Sequence, residues 1–128
     1  MKITPIEYAS SYLTENFVSE NGNPDKKIDI VFLIYLIEYK DKLILIDVGC
    51  ETMPGIEMVD FCGSVEALKR AGKNPEDITD VIITHAHHDH IECVHYFKNA
   101  VIHIQKDEYE AGKHCIPESF KINVFEDI

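Results

Sequence analysis

The chain has 128 residues, 45% of them hydrophobic, and a formal charge of −11 from 23 acidic against 12 basic residues. That length and apolar content predict one domain over residues 1–128 with a buried core, and argue against disorder. The acidic balance offers no basic face for nucleic acid and disfavours an anionic membrane surface as a partner.

The opening Met1-Lys2-Ile3-Thr4-Pro5 has no apolar stretch of the kind found in a secretory leader. The longest apolar run, Ile30 to Ile37, is too short to span a bilayer and reads as a buried strand. Cysteines at 50, 62, 93 and 115 form no C-x-x-C pair. They are expected to be reduced thiols of a cytoplasmic protein.

In chain order, residues 3–19 mix apolar and polar positions without a clean period. They predict a strand with irregular ends, with Tyr8, Tyr12, Leu13, Phe17 and Val18 in the core. Asn21-Gly22-Asn23-Pro24-Asp25 is a turn by composition. Ile28–Tyr39 and Leu43–Val48 are predicted strands, joined as a hairpin by Lys40-Asp41-Lys42. Apolar residues on both parities of these strands predict burial on both faces. Gly49 ends the second strand, and Cys50 to Gly63 reads as a loop. Ser64 is the expected N-cap of a helix over Val65–Ala71, with Leu68 inward and Gly72 as its stop. Asn74-Pro75-Glu76-Asp77 opens a short turn, and Asp80–Thr84 is a strand. Ile91, Val94 and Phe97 space a helix over Ile91–Lys98. Val101–Gln105 is a strand, Lys106–Gly112 a helical turn or two, and Ile122–Phe125 the beginning of a last strand.

The chemistry sits in Thr84-His85-Ala86-His87-His88-Asp89-His90, an H-x-H-x-D-H pattern directly after an apolar strand. In extended backbone, residues i and i+2 point the same way, so His85, His87 and Asp89 converge as the strand runs out. His90 swings in where a helix begins. Imidazole nitrogens and a carboxylate oxygen are ligands for zinc and similar divalent ions. His88 is out of step and is expected to be a spacer or an outer residue. His95, His103 and His114 are isolated and read as satisfied or exposed histidines. Asp47 ends a buried strand in Leu45-Ile46-Asp47-Val48-Gly49 and needs a partner to offset desolvation. Two roles fit its position: an acceptor behind a metal-bound histidine, or a turn cap at the strand end.

Leu45–Gly49 followed by Thr84–His90 resembles the metallo-β-lactamase superfamily, and more finely its N-acyl homoserine lactonase-like branch. Val65–Pro75 before the motif strand and Ile102–Gly112 after it support the finer match. The resemblance covers nearly all of the chain and implies an α+β fold, a metallo-β-lactamase-like αββα sandwich of which this chain supplies the N-terminal half. It implies up to two zinc ions, the first on His85 and His87, the second on Asp89 and His90, with Asp47 supporting the site from behind. The implied reaction is hydrolysis of an ester, lactone, thioester or amide bond in a small-molecule substrate. A hydroxide bridging the metals is the implied nucleophile, and Asp89 helps to orient it.

Two departures carry expectations of their own. The remaining family ligands, a third histidine, a bridging aspartate and a last histidine, belong to a second half that this chain lacks. Each metal is left two protein ligands where three is the usual catalytic minimum. The expected fragment exposes an apolar sheet face, covered by another copy in a homo-oligomer or by a complementary second-half chain. The alternative to a hydrolase is a non-catalytic fragment or dimerisation module with weak or no metal binding. The second departure is Ile91-Glu92-Cys93, where the family commonly carries glycines, and the bulk of Glu92 is expected to crowd the substrate side.

Overall fold

The computed structural model describes residues 1–127. Seven strands form one mixed sheet: β1 (Lys2–Thr14), β2 (Lys27–Tyr39), β3 (Lys42–Ile46), β4 (Met58–Phe61), β5 (Asp80–Ile83), β6 (Val101–Gln105) and β7 (Lys121–Phe125). Their order is β4-β1-β2-β3-β5-β6-β7. The half built of β4, β1, β2 and β3 is antiparallel, whereas β3, β5, β6 and β7 run parallel. The short helices are α1 (Glu15–Val18), α2 (Ser64–Arg70), α3 (His88–Ile91) and α4 (Lys106–Gly112). Among the described residues no helix is long and apolar enough to cross a membrane.

Strand periodicity decides where the core lies. Ile6, Ile34, Leu36, Leu45, Val81, Ile83, Ile102 and Ile104 share one face and are buried. Leu68 of α2, Ile91 of α3, and Val94 and Phe97 beyond it close the same core. The opposite face is different. Ile3, Tyr35, Ile37, Tyr39, Ile44, Ile46 and Ile82 lie on it in register. Ile3 is 54% exposed, Tyr35 40% and Tyr39 46%, so these strands are buried on one side only. Apolar residues thus stand on both faces, and among the described residues the second face is only partly covered.

Several local expectations change. Residues 3–14 lie in β1, whose register shifts between Glu7 and Ala9 against β2 and between Ser10 and Ser11 against β4, and Glu15–Val18 form α1. Tyr8 is core, but Leu13 is half-buried and Tyr12, Phe17 and Val18 are exposed, since α1 buries no residue against the sheet. The stretch read as a loop contains β4, an edge strand on β1. The helix expected from Val65 begins at Ser64, after Gly63 at φ 86°. Ser64 does not cap it: its hydroxyl donates to the Val48 carbonyl at 2.5 Å. The helix expected over Ile91–Lys98 is an α-turn, α3, followed by a 3-10 segment over Glu92–Tyr96.

Candidate metal centre

The site is built where β3 and β5, parallel neighbours, end side by side. Asp47 leaves β3 with a left-handed backbone, φ 62°, a conformation that short polar side chains tolerate better than most. Its amide still donates to the Ile82 carbonyl at 2.8 Å, and the turn carries its carboxylate under the Thr84–His90 segment. There it accepts from the Thr84 amide at 2.8 Å, the Thr84 hydroxyl at 2.7 Å and His90 Nδ1 at 2.7 Å. One carboxylate thus caps the turn at Thr84 and accepts from the His90 ring.

These bonds fix which ring nitrogens are free. His90 donates through Nδ1, which in the neutral ring leaves Nε2 to offer a lone pair. Thr84 has one hydroxyl hydrogen, and Asp47 takes it. The Thr84 oxygen must therefore accept from His85 Nδ1, 2.9 Å away, and His85 also presents Nε2. The His85 ring lies 4.6 Å from His87 and 4.0 Å from His90 between centroids. Asp89 Oδ2 is 3.4 Å from His90 Nε2. The hydrogen bond to Asp47 raises the His90 pKa and outweighs burial, which pulls it down.

Further supports escaped the sequence reading. Glu108 of α4 accepts from the Ala86 amide at 2.7 Å, inside the histidine segment. A Cβ on Gly112 would stand 2.9 Å from the Ala86 Cβ, so that glycine lets α4 approach. The Tyr8 hydroxyl donates to the Asp89 carbonyl at 3.2 Å, and burial above all raises its pKa. The Val48 amide donates to the His90 carbonyl at 3.0 Å. No motif marks these residues; their only signal is an ordinary place on a neighbouring element. His103, read as satisfied, is so: Nε2 is 2.8 Å from Asp80 Oδ1 and Nδ1 is 3.0 Å from Asn123 Nδ2.

The donor set fits a divalent ion. Three imidazoles and a carboxylate are neighbours, and among the described residues no Lys or Arg pairs with Asp47 or Asp89. It does not form a finished cage: among the described residues no three His, Cys, Asp or Glu side chains are grouped to hold one ion.

Residues 33–122 match the family profile of the metallo-beta-lactamase superfamily. The chain belongs to this superfamily. Among its relatives, N-acyl homoserine lactonase AiiB of Agrobacterium fabrum (strain C58 / ATCC 33970) is 30% identical over 132 residues, 84% of this chain and 48% of its own. An N-acyl homoserine lactonase of a Bacillus species is 29% identical, over 80% of this chain and 47% of its own. Superfamily architecture recurs in solved structures. An N-acyl homoserine lactone hydrolase, solved with N-hexanoyl-L-homoserine at its catalytic metal centre, superposes with a TM-score of 0.78 at 26% identity, covering 98% of this chain and 59% of that one. AidC, a dizinc quorum-quenching lactonase, gives a TM-score of 0.65 at 27% identity, over 84% of this chain and 42% of its own. The chain spans about half the length of the curated relatives it matches.

Proposed function

We propose that residues 1–128 carry half of the metal centre of a zinc-dependent hydrolase that opens lactone or related acyl bonds in small molecules. The observation that carries this reading is the Asp47–Thr84 relay, which engages Nδ1 of both His85 and His90 and leaves each Nε2 available to a metal. His85 and His87 hold one ion, and Asp89 and His90 the other. Bound metal supplies Lewis acidity and activates water at neutral pH. This chain's residues aim the imidazoles, keep Nδ1 of His85 and His90 protonated and offer the Asp89 carboxylate to orient the attacking water. The lactonase relatives and the dizinc AidC support the substrate class and the metal.

Two ligands per ion leave the centre unfinished, and the exposed apolar sheet face supports a completing layer there. In this reading a second polypeptide layer covers Tyr35, Ile37, Ile44 and Ile82 and brings the missing ligands with it. A second reading, a non-catalytic module that pairs through the same face, is favoured by the absence of a three-residue cage among the described residues.

The deciding measurement is metal per chain after purification without chelator, with the zinc dissociation constant from chelator competition. Zinc binding that weakens at least about tenfold in His90→Ala supports the half-centre, and assays on acyl homoserine lactones follow. Absence of zinc binding at any concentration, with the chain folded, selects the non-catalytic module.

A further inference from the structure

We propose that the layer over the apolar sheet face is a second copy of this chain, related by a two-fold axis through Tyr35 and Ile46 that brings Lys42 of each copy to Glu7 of the other. The proposal names the covering layer of the reading above and rests on that reading for the layer alone. Register maps the face. Pro5, Tyr35, Ile46, Ile82, His103 and Asn123 form one row across the strands, and Ile3, Ile37, Ile44, Asp80, Val101 and Lys121 form the next.

Size and charge suit a contact between copies. Strands β1 to β7, about 4.8 Å apart and rising about 3.3 Å per residue, make the face roughly 25 Å wide and 15 Å tall. The 13 residues each of β1 and β2 extend one side to roughly 40 Å. With side-chain relief this approaches the about 800 Å² that each partner of a stable dimer contributes. The chain's charge of −11 stays off the two rows, which hold one acid, Asp80, and one base, Lys121.

The polar groups of the face are already matched. Asp80 accepts from His103 Nε2 at 2.8 Å, the Thr79 hydroxyl at 2.7 Å and Lys42 at 3.1 Å. Asn123 Nδ2 lies 3.0 Å from His103 Nδ1. Among the described residues no buried side-chain nitrogen or oxygen lacks a partner. An apolar layer therefore settles over Asp80 and His103 without orphaning either.

Lys42 and Glu7 select this chain as its own partner. Both belong to this face, Lys42 in register with Tyr39 and Glu7 with Leu33. Lys42 spends one N–H on Asp80, keeps two more, and is 53% exposed. Glu7 is exposed and among the described residues has no ion-pair partner. The two lie on opposite sides of the Tyr35–Ile46 pair. Along the strands, Lys42 stands two rows to one side and Glu7 one row to the other; across them, Lys42 is on β3 and Glu7 on β1. A two-fold axis lying in the contact plane and tilted across the strands at that pair exchanges them, so the ion pair forms twice around an apolar centre.

The test is sedimentation equilibrium of the metal-free 128-residue chain and of Lys42→Glu and Glu7→Lys, with urea midpoints to establish that each is folded. The wild type is expected to dimerise. Each variant sets like charges together twice and weakens dimerisation at least about tenfold. Mixed in equal amounts, the two variants pair again, because the reversed charge of each meets its opposite on the other. A wild type that stays monomeric overturns the proposal, whether the face stays wet or takes a different polypeptide. A mixture no tighter than the variants alone overturns it too. If Lys42→Glu unfolds, Glu7→Lys decides, since it breaks no ion pair within the chain: unchanged dimerisation in it overturns the proposal. With metal absent throughout, failure to dimerise leaves the zinc reading standing, and failure to bind zinc leaves the dimer standing.

Discussion

At the scale of single residues, Asp47 does the most with the least. Three hydrogen bonds of 2.7–2.8 Å converge on a side chain that is 10% exposed. Asp47→Ala leaves the Thr84 amide and hydroxyl and His90 Nδ1 without their acceptor, and puts an ordinary side chain at φ 62°. A loss of about 2 kcal/mol in urea unfolding follows. Zinc affinity in chelator competition falls by about 10–100-fold, the usual effect of removing the group that aims a ligand. Equal zinc affinity in the variant would mean that His90 needs no guide. Asp80 gives the pH dependence. Burial pushes its carboxyl up, but bonds from His103, Thr79 and Lys42 outweigh it and hold it below the usual aspartate value. A carboxyl with a lowered folded pKa contributes stability above its unfolded value, about 3.9, and loses it as pH falls through the folded one. Wild type and Asp80→Asn are therefore expected to differ in urea midpoint by a constant gap near neutrality, and the gap closes below about pH 4. A gap that instead widens in acid would reverse the sign assigned here.

At the scale of elements, the tightest constraint is the exit of β3. Gly49 has φ 80°, and a Cβ there would stand 2.4 Å from Ser64 Oγ and 2.9 Å from Tyr8 Cζ. Both neighbours are buried, and Ser64 is pinned to the Val48 carbonyl. Gly49→Ala combines a left-handed alanine with an overpacked core, so thermal unfolding should show a loss of about 3 kcal/mol. A loss below about 1 kcal/mol would show that α2 can slide away from β3. This junction also marks the limit of what the sequence made legible. Glycine announced the end of the strand, yet Ser64 read as a helix cap because capping and donation to a distant carbonyl draw on the same hydroxyl. The four residues of β4 carry no period of their own and become a strand only because β1 offers an edge. Ile91, Val94 and Phe97 point inward as their spacing required. They do so from an α-turn and a 3-10 segment, since spacings of three suit that tighter helix as well. The histidine segment was legible because its side chains are local in sequence. Glu108, Tyr8 and Thr84 were not, because their contacts to it are set by tertiary packing and by which atom already holds each hydrogen.

At the scale of the whole molecule, the apolar face opposite the helices decides behaviour. Strands β2 and β3 were expected to be buried on both sides, and their composition still says so: Tyr35, Ile37, Ile44 and Ile46 face outward in register. Soluble surfaces seldom carry a contiguous patch of this kind unless something binds it. The covering layer of the proposed hydrolase and the pairing of the alternative module both need this patch, so its removal separates surface chemistry from fold. Tyr35 contributes little to the core at 40% exposure. Tyr35→Lys is expected to leave the unfolding midpoint within about 0.5 kcal/mol of wild type, as surface substitutions do. The same change places a charge in the middle of the patch. In sedimentation velocity the 128-residue chain should associate with rising concentration, and Tyr35→Lys should shift it toward monomer. A wild type that stays monomeric throughout would show that the face is wet by design and recruits no second layer. A variant that unfolds instead would place Tyr35 among the residues that hold the sheet together.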